Sequence, residues 1–315
     1  MSHLITAVVR RAARIREFQL RRADGQPLPA WQAGDHVMLC FASAAGRRFE
    51  RHYSLVGAPG DTDVYRIAVQ RDEHGRGGSV CLHHEFGAGS AIGMSGPFND
   101  FPLVAGPDSR VVLVAGGIGI TPLVSMAHVL GAAGNAFTLH YLARSREDLA
   151  FLGELNAIPG ARVIPHLSQE SGRADLPALL GAFAPGDSAY ACGPVALLQA
   201  LADAGRRMGW PSGTLHAESF GARANAADGP LTVELALSGM TVDVAPGTPI
   251  LDALIAADVF VSYDCRRGEC GNCYAPVLEG TPQHRDICLT PAMRAAGMCT
   301  CVSWAAAPGR LVLEL

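Results

Sequence analysis

The sequence predicts a multi-domain protein of three successive folds: an antiparallel β-barrel, an α/β unit with a parallel sheet, and a small C-terminal unit of strands and one helix. Three observations carry this. The first hundred residues are short β-rich runs broken by Gly, Asp and Pro; after GPFNDFPL the apolar runs are separated by helix-length segments; and Cys265, Cys270, Cys273, Cys288, Cys299 and Cys301 crowd into the last fifth of the chain. At about 150 residues per domain, 315 residues make two domains, or three if one is small.

Residues 1–103 hold runs such as HVMLCF, RHYSLVG and YRIAVQR between turn residues, the pattern of an antiparallel barrel. In residues 104–225, RVVLVAGG, FTLHYLA, RVIPHLS and SAYACGP alternate with helical stretches, as buried parallel strands do. From about Ala226 the chain reads LTVELALSGMTVDVAPGTPILDALIAADV: two alternating strands about a Ser238-Gly239 turn, then a helix. The break falls in the small-residue linker GARANAADGP.

Apolar residues at 49% and charged residues at 17% describe a chain that buries real cores. A net charge of -4 offers no basic stripe for nucleic acid. The opening MSHLITAVVRRAARIREF interleaves Arg with apolar positions and has no export signal, so a cytoplasmic protein is expected. Val111 to Ala143 carries no Asp, Glu, Lys or Arg and is long enough to span a bilayer. Gly116, Gly117, Gly119, Pro122, Gly131 and Gly134 interrupt it, however, so it reads as strand, glycine turn, helix, loop and strand, with no membrane partner. Nine cysteines without an export signal argue against a disulfide framework.

Within YDCRRGECGNC, Cys265, Cys270 and Cys273 form C-x4-C-x2-C, and Cys301 follows at a distance. That is the plant-type 2Fe-2S spacing. Two irons need four thiolates, three of them from one tight loop, and Gly268 and Gly271 supply its backbone freedom. A structural zinc site competes, but usually takes two short cysteine knuckles, and only one is present. Cys40 and Cys81 fit small buried hydrophobes.

Arg51-His52-Tyr53-Ser54 follows one strand, and Gly77-Gly78-Ser79 precedes the short helix VCLHHEF. An Arg beside free helical amides suits a phosphate, and a Tyr can lie on an isoalloxazine ring whose edge Ser54 bonds. Each motif alone is equally well an ordinary strand or turn. VVLVAGGIGITPLVSMAHVL runs from strand through a glycine turn into a helix, the context of a dinucleotide site, although it departs from G-x-G-x-x-G and glycines also serve tight packing. Tyr190-Ala191-Cys192-Gly193-Pro194 ends another strand and can flank the same crevice. His83 and His84 read as helix-surface residues rather than metal ligands.

In this order, RHYSL, GRGGS, GGIGITP, YACGP, HAESF and the cysteine motif resemble the phthalate dioxygenase reductase-like branch of the ferredoxin-NADP reductase superfamily, which includes vanillate demethylase reductases. The resemblance covers nearly the whole chain. It implies an FMN-binding barrel (1–103), an NAD-binding α/β domain (104–225) and a β-grasp 2Fe-2S ferredoxin domain (226–315). It further implies FMN bound through Arg51, Tyr53, Ser54, the strand Ile67-Ala68-Val69, Gly78 and Ser79, with Thr121 near the flavin and Phe220 close to its ring. NADH would lie along Gly116 to Pro122, Arg144-Ser145 and Cys192 to Pro194. Glu218 would orient nicotinamide or flavin, and Cys192 would shape the pocket rather than act as a nucleophile. The family's motif makes Cys301 the fourth cluster ligand beside Cys265, Cys270 and Cys273. If Met298–Val302 is extended, Cys299 faces the same way, but two residues shift a side chain by about 6.6 Å, well beyond an iron-thiolate bond. Cys288 is expected in a surface loop or helix start. Two departures stand out: Trp304 replaces the family's frequent Arg, and Cys299 adjoins the expected ligand.

Such a chain takes a hydride from NADH and passes single electrons to a separate terminal oxygenase, acting as a monomer without an acid-base dyad. Alternatives are an FAD-containing reductase of a haem monooxygenase, and a non-catalytic redox sensor. No acidic residue sits about twenty positions beyond the glycine turn, where one often selects NAD, and Arg144 and Arg146 also suit a 2'-phosphate; the family inclines toward NADH.

Overall fold

The computed structural model describes residues 2–315 except 76, 105, 107, 108, 212, 221–227, 265, 307 and 308. The chain divides into two compact units, Met1–Gly193 with Ala200–His216, and Pro194–Gln199 with Ala217–Leu315.

In the first unit, six antiparallel strands run in the order Arg48–Ser54, Asp35–Ala42, Ala91–Asn99, Ser2–Ala12, Ile15–Arg22 and Tyr65–Gln70. A bridge between Leu55 and Ile67 joins the two ends of that order and closes the barrel. Inward positions of alternating strands, among them Ile5, Phe18, Leu20, Val37, Leu39 and Ile67, form its core. The helix Gly78–Glu85 packs on it through Leu82. His83 on that helix is buried, and its Nε2 donates to the Val69 carbonyl at 2.8 Å. Surface placement therefore fails for His83, because a strand carbonyl beneath the helix needed a donor; His84 is exposed as expected.

A five-stranded sheet follows in the order Leu215–Glu218, Ser188–Cys192, Val111–Gly116, Phe137–Ala143, Ala161–Leu167, all within the first unit except Ala217 and Glu218, with which the second unit resumes. The last four are parallel neighbours. All six residues of Val111–Gly116 are buried, as a central strand covered on both faces requires. The uncharged stretch resolves into this strand, a short turn, the helix Ile120–Ala132 and the strand Phe137–Ala143. Among the described residues no helix is long and apolar enough to cross a membrane. From Val111–Gly116 the chain builds outward on one side, then returns to set Ser188–Cys192 on the other. This reversal opens a crevice at the carboxyl ends of those two strands.

Arg66 of the barrel binds Glu17 at 2.9 Å and Glu154, from the helix Leu152–Asn156, at 2.8 Å. Burial disfavours charge on Glu17, but its bonds from Arg66 outweigh this and hold the carboxyl below its usual range. Glu154 is likewise opposed by burial, yet His128 and Arg66 pull it down to about 2.

The second unit holds a sheet in the order Thr241–Val244, Leu231–Leu235, Arg310–Leu313, Tyr274–Glu279, Gly297–Cys299. The predicted hairpin turns at Gly239, whose φ is 67°. Leu231–Leu235 runs parallel to the final strand Arg310–Leu313, and Ile250, Leu251 and Leu254 of the helix Ile250–Ala256 join the sheet's core, the β-grasp arrangement.

Candidate functional site

Three groups of predicted residues occupy three places, beginning with the barrel. A β-carbon on Gly78 would lie 2.9 Å from the Arg51 Nε, so the guanidinium rests over the first turn of the helix Gly78–Glu85. Gly77 reaches this turn with φ 79°. The first helical amides have no intrahelical acceptor, and with the guanidinium they form a positive cradle of phosphate character. Ser54 is buried, Tyr53 half-buried and His52 exposed. The side chains of Ile67, Ala68 and Val69 are buried, leaving chiefly backbone to face a ligand. The Ser79 hydroxyl accepts from the Asp72 amide at 3.0 Å, so it also fixes the preceding loop.

At the sheet crevice, Gly117 turns with φ 58°. A β-carbon on Gly119 would collide with the Cys192 carbonyl oxygen at 2.1 Å and the Gly193 nitrogen at 2.8 Å. Two motifs far apart in sequence are thus in direct backbone contact. Cys192 is fully buried, and Thr121, also buried, donates its hydroxyl to the Ile118 carbonyl at 3.1 Å, bracing the turn. Pro122 continues the helix inward. Arg144 is exposed, Ser145 binds Asp148 at 3.2 Å, and Pro194 is exposed ahead of the helix Val195–Arg207.

The cysteine loop lies in the second unit. Cys265 lies outside the described residues. Arg266, Gly268 and Gly271 have φ of 52°, 73° and 78°, which curls the backbone as an anion-binding loop requires. A β-carbon on Gly268 would meet Val302 at 2.6 Å, so no larger residue fits there. Cys273 and Cys301 are buried beside one another, whereas Cys270 is exposed. Among the described residues no three His, Cys, Asp or Glu side chains gather around one metal ion. Soft thiol donors on a glycine-curled loop fit a 2Fe-2S cluster.

The extended path assumed for Met298–Val302 does not hold. The strand ends at Cys299, and the Ser303 amide donates to the Cys299 carbonyl at 3.1 Å, closing a turn. The expected separation collapses: Cys299 and Cys301 both bond Cys273 and hold its thiol below the usual range. Cys299, between Cys273 and Cys288, is pushed the other way. Cys288 lies in the loop just before the helix Pro291–Ala296, as expected, but is half-buried with its sulfur 3.7 Å from that of Cys299, because the sheet's core reaches it.

Sequence reasoning missed one cluster. Glu218 and Ser219 are buried, and Phe220 after them is exposed. Glu218 Oε1 lies 3.6 Å from Arg267 Nη1, Arg267 Nε lies 3.2 Å from Glu269 Oε2, and Glu269 Oε1 accepts from the Ser219 amide at 2.6 Å. The sequence had marked Glu218 within HAESF and placed Arg267 and Glu269 inside the cysteine loop, but nothing in it joined the two.

Residues 233–306 match the family model of the 2Fe-2S iron-sulfur cluster binding domain. The chain is 42% identical, over 89% of its length and 86% of the relative's, to the phenoxybenzoate dioxygenase subunit beta of Ectopseudomonas oleovorans. It is 37% identical, over 95% and 92%, to the phthalate dioxygenase reductase of Burkholderia cepacia. A solved phthalate dioxygenase reductase, described as a modular structure for electron transfer from pyridine nucleotides to [2Fe-2S], superimposes with a TM-score of 0.74 at 36% identity, covering 100% of this chain and 98% of that one. The barrel, the parallel-sheet domain and the ferredoxin domain are the architecture of that neighbour. The chain belongs to the phthalate dioxygenase reductase-like family of the ferredoxin-NADP reductase superfamily and is an oxidoreductase.

Proposed function

We propose that this oxidoreductase takes a hydride from NADH onto FMN and delivers electrons singly, through a 2Fe-2S cluster, to a separate terminal oxygenase. The observation that carries it is the pairing of Cys273 and Cys301 beside the glycine-curled loop, within a stretch that matches a 2Fe-2S domain. Relatives named as dioxygenase components support the oxygenase partner.

The chemistry the bound groups supply is the splitting of one two-electron hydride into two one-electron transfers. The chain's residues bind and orient. Arg51 and the Gly77–Ser79 turn take the FMN phosphate, and Tyr53, Ser54 and the strand 67–69 lie along the ring. Gly116 to Pro122, Arg144-Ser145 and Cys192 to Pro194 take NADH, Glu218 and Phe220 complete the nicotinamide and flavin surroundings, and Cys265, Cys270, Cys273 and Cys301 hold the cluster. The corresponding domains are 1–103, 104–225 and 226–315, and the protein is a cytoplasmic monomer.

Anaerobic purification should yield a brown protein with flavin and 2Fe-2S absorption. A yellow, iron-free preparation would overturn the cluster assignment, and the mass of the extracted flavin decides FMN against FAD. Specificity constants should favour NADH over NADPH at least tenfold, a difference of only about 1.4 kcal/mol. Comparable constants would mean that Arg144 or Arg146 accepts the extra phosphate.

A further inference from the structure

We infer that Arg267 sets the reduction potential of the 2Fe-2S cluster, and that Glu218 and Glu269 hold it in place for this. The inference rests on the proposal that the cysteine loop carries that cluster.

Arg267 and Glu269 flank Gly268 inside the span from Cys265 to Cys270. Arg267 is 8% exposed, Glu218 2% and Ser219 1%. The guanidinium stands 3.6 Å from Glu218 and 3.2 Å from Glu269, and Glu269 also accepts the Ser219 amide at 2.6 Å. Burying two charged groups and half-burying a third, Glu269, is costly, and apolar residues of similar volume usually stabilise a fold as well or better. Stability therefore gives little reason for this cluster, whereas its position gives a functional one. A 2Fe-2S centre gains one negative charge on reduction, and nearby charge that solvent does not screen shifts the equilibrium. The Arg267 cation favours the added electron, and the two carboxylates oppose it.

The neighbouring Arg266 supplies a contrast within the loop. It is exposed, lies 4.4 Å over the Tyr263 ring and pairs with half-buried Asp252 at 3.4 Å. Solvent screens that cation, so it should matter little to the cluster. The Glu269 bond to Ser219 has a second consequence: the Glu218–Phe220 segment is tied to the cysteine loop, so these charges are fixed relative to that loop.

The opposite signs of the charges make the test decisive. The full-length protein, loaded with flavin and cluster, is titrated with dithionite under electron paramagnetic resonance, comparing wild type with Arg267→Gln, Arg267→Lys, Glu269→Gln and Arg266→Gln. Arg267→Gln should shift electron sharing away from the cluster about tenfold or more, a fall of about 59 mV for one electron. Arg267→Lys should restore most of the loss, Arg266→Gln should change it less than threefold, and Glu269→Gln should raise the potential. If Arg267→Gln cannot assemble a cluster, Glu269→Gln decides: a fall or no change overturns the inference. So would Arg267→Gln and Glu269→Gln moving in the same direction, which is what loosened packing would produce. A wild-type protein without any cluster signal would instead overturn the proposal that the loop carries the centre.

Discussion

Gly119 rests on the carbonyl oxygen of Cys192, which a β-carbon would approach to 2.1 Å. Both residues lie at the carboxyl ends of adjacent parallel strands, where Cys192 is paired with Ala115. Gly119→Ala must push the two turns apart, an overpacking cost of about 1–3 kcal/mol. The KM for NADH should rise at least tenfold while flavin content, measured after extraction, stays at the wild-type level. An unchanged KM would show that this crevice does not hold the nucleotide.

Arg51 lies over the helix turn at Gly78, where a phosphate would be bound by guanidinium and amides together. Losing charge-assisted bonds of about 1.5–3 kcal/mol should weaken flavin binding roughly ten- to hundredfold in Arg51→Ala, with the cluster intact. Ultrafiltration followed by absorption spectroscopy measures both, and full flavin occupancy would refute the assignment.

Cys299 and Cys301 both reach Cys273, so proximity alone does not distinguish them. Their settings do: the Cys299 sulfur also lies 3.7 Å from that of Cys288, outside the cysteine loop, whereas Cys301 stands at the position the family's motif gives the ligand. After dithionite reduction, Cys301→Ser should lose or strongly alter the paramagnetic signal and Cys299→Ser should keep it. The reverse would name Cys299 as the ligand.

His140 is buried, with Nδ1 3.0 Å from His166 Nε2, and burial followed by the charges of His166 and Arg162 lowers its pKa to about 4. The unfolded chain takes up this proton below about 6.5, the folded chain only near 4. Stability is therefore lost as pH falls through that window, on the order of 2–3 kcal/mol from this one group. His140→Gln should flatten the fall in Tm between pH 7 and 4.5, read by circular dichroism. An equally steep fall in the variant would assign the acid sensitivity to other groups.

Much of the fold was legible before any coordinates because it rests on local periodicity. Short β-rich runs such as HVMLCF and YRIAVQR between turn residues announced barrel strands, and glycines inside the uncharged stretch from Val111 to Ala143 announced a turn between a strand and a helix. His83 was misplaced because the polarity of HH suggests solvent, whereas the Val69 carbonyl that buries it comes from a strand 14 residues earlier.

By itself the sequence determined the element types, the order of the folds and the spacing of the cysteine motif, since these depend on residues close along the chain. Only the tertiary structure decided that Gly119 abuts Cys192, that a turn draws Cys299 and Cys301 together onto Cys273, and that Glu218 meets Arg267 and Glu269. These relationships join segments up to 73 residues apart, as with Gly119 and Cys192. Nothing in local propensity encodes such meetings; they arise when strand order and close packing leave each buried carbonyl, thiol and charge a limited choice of neighbours.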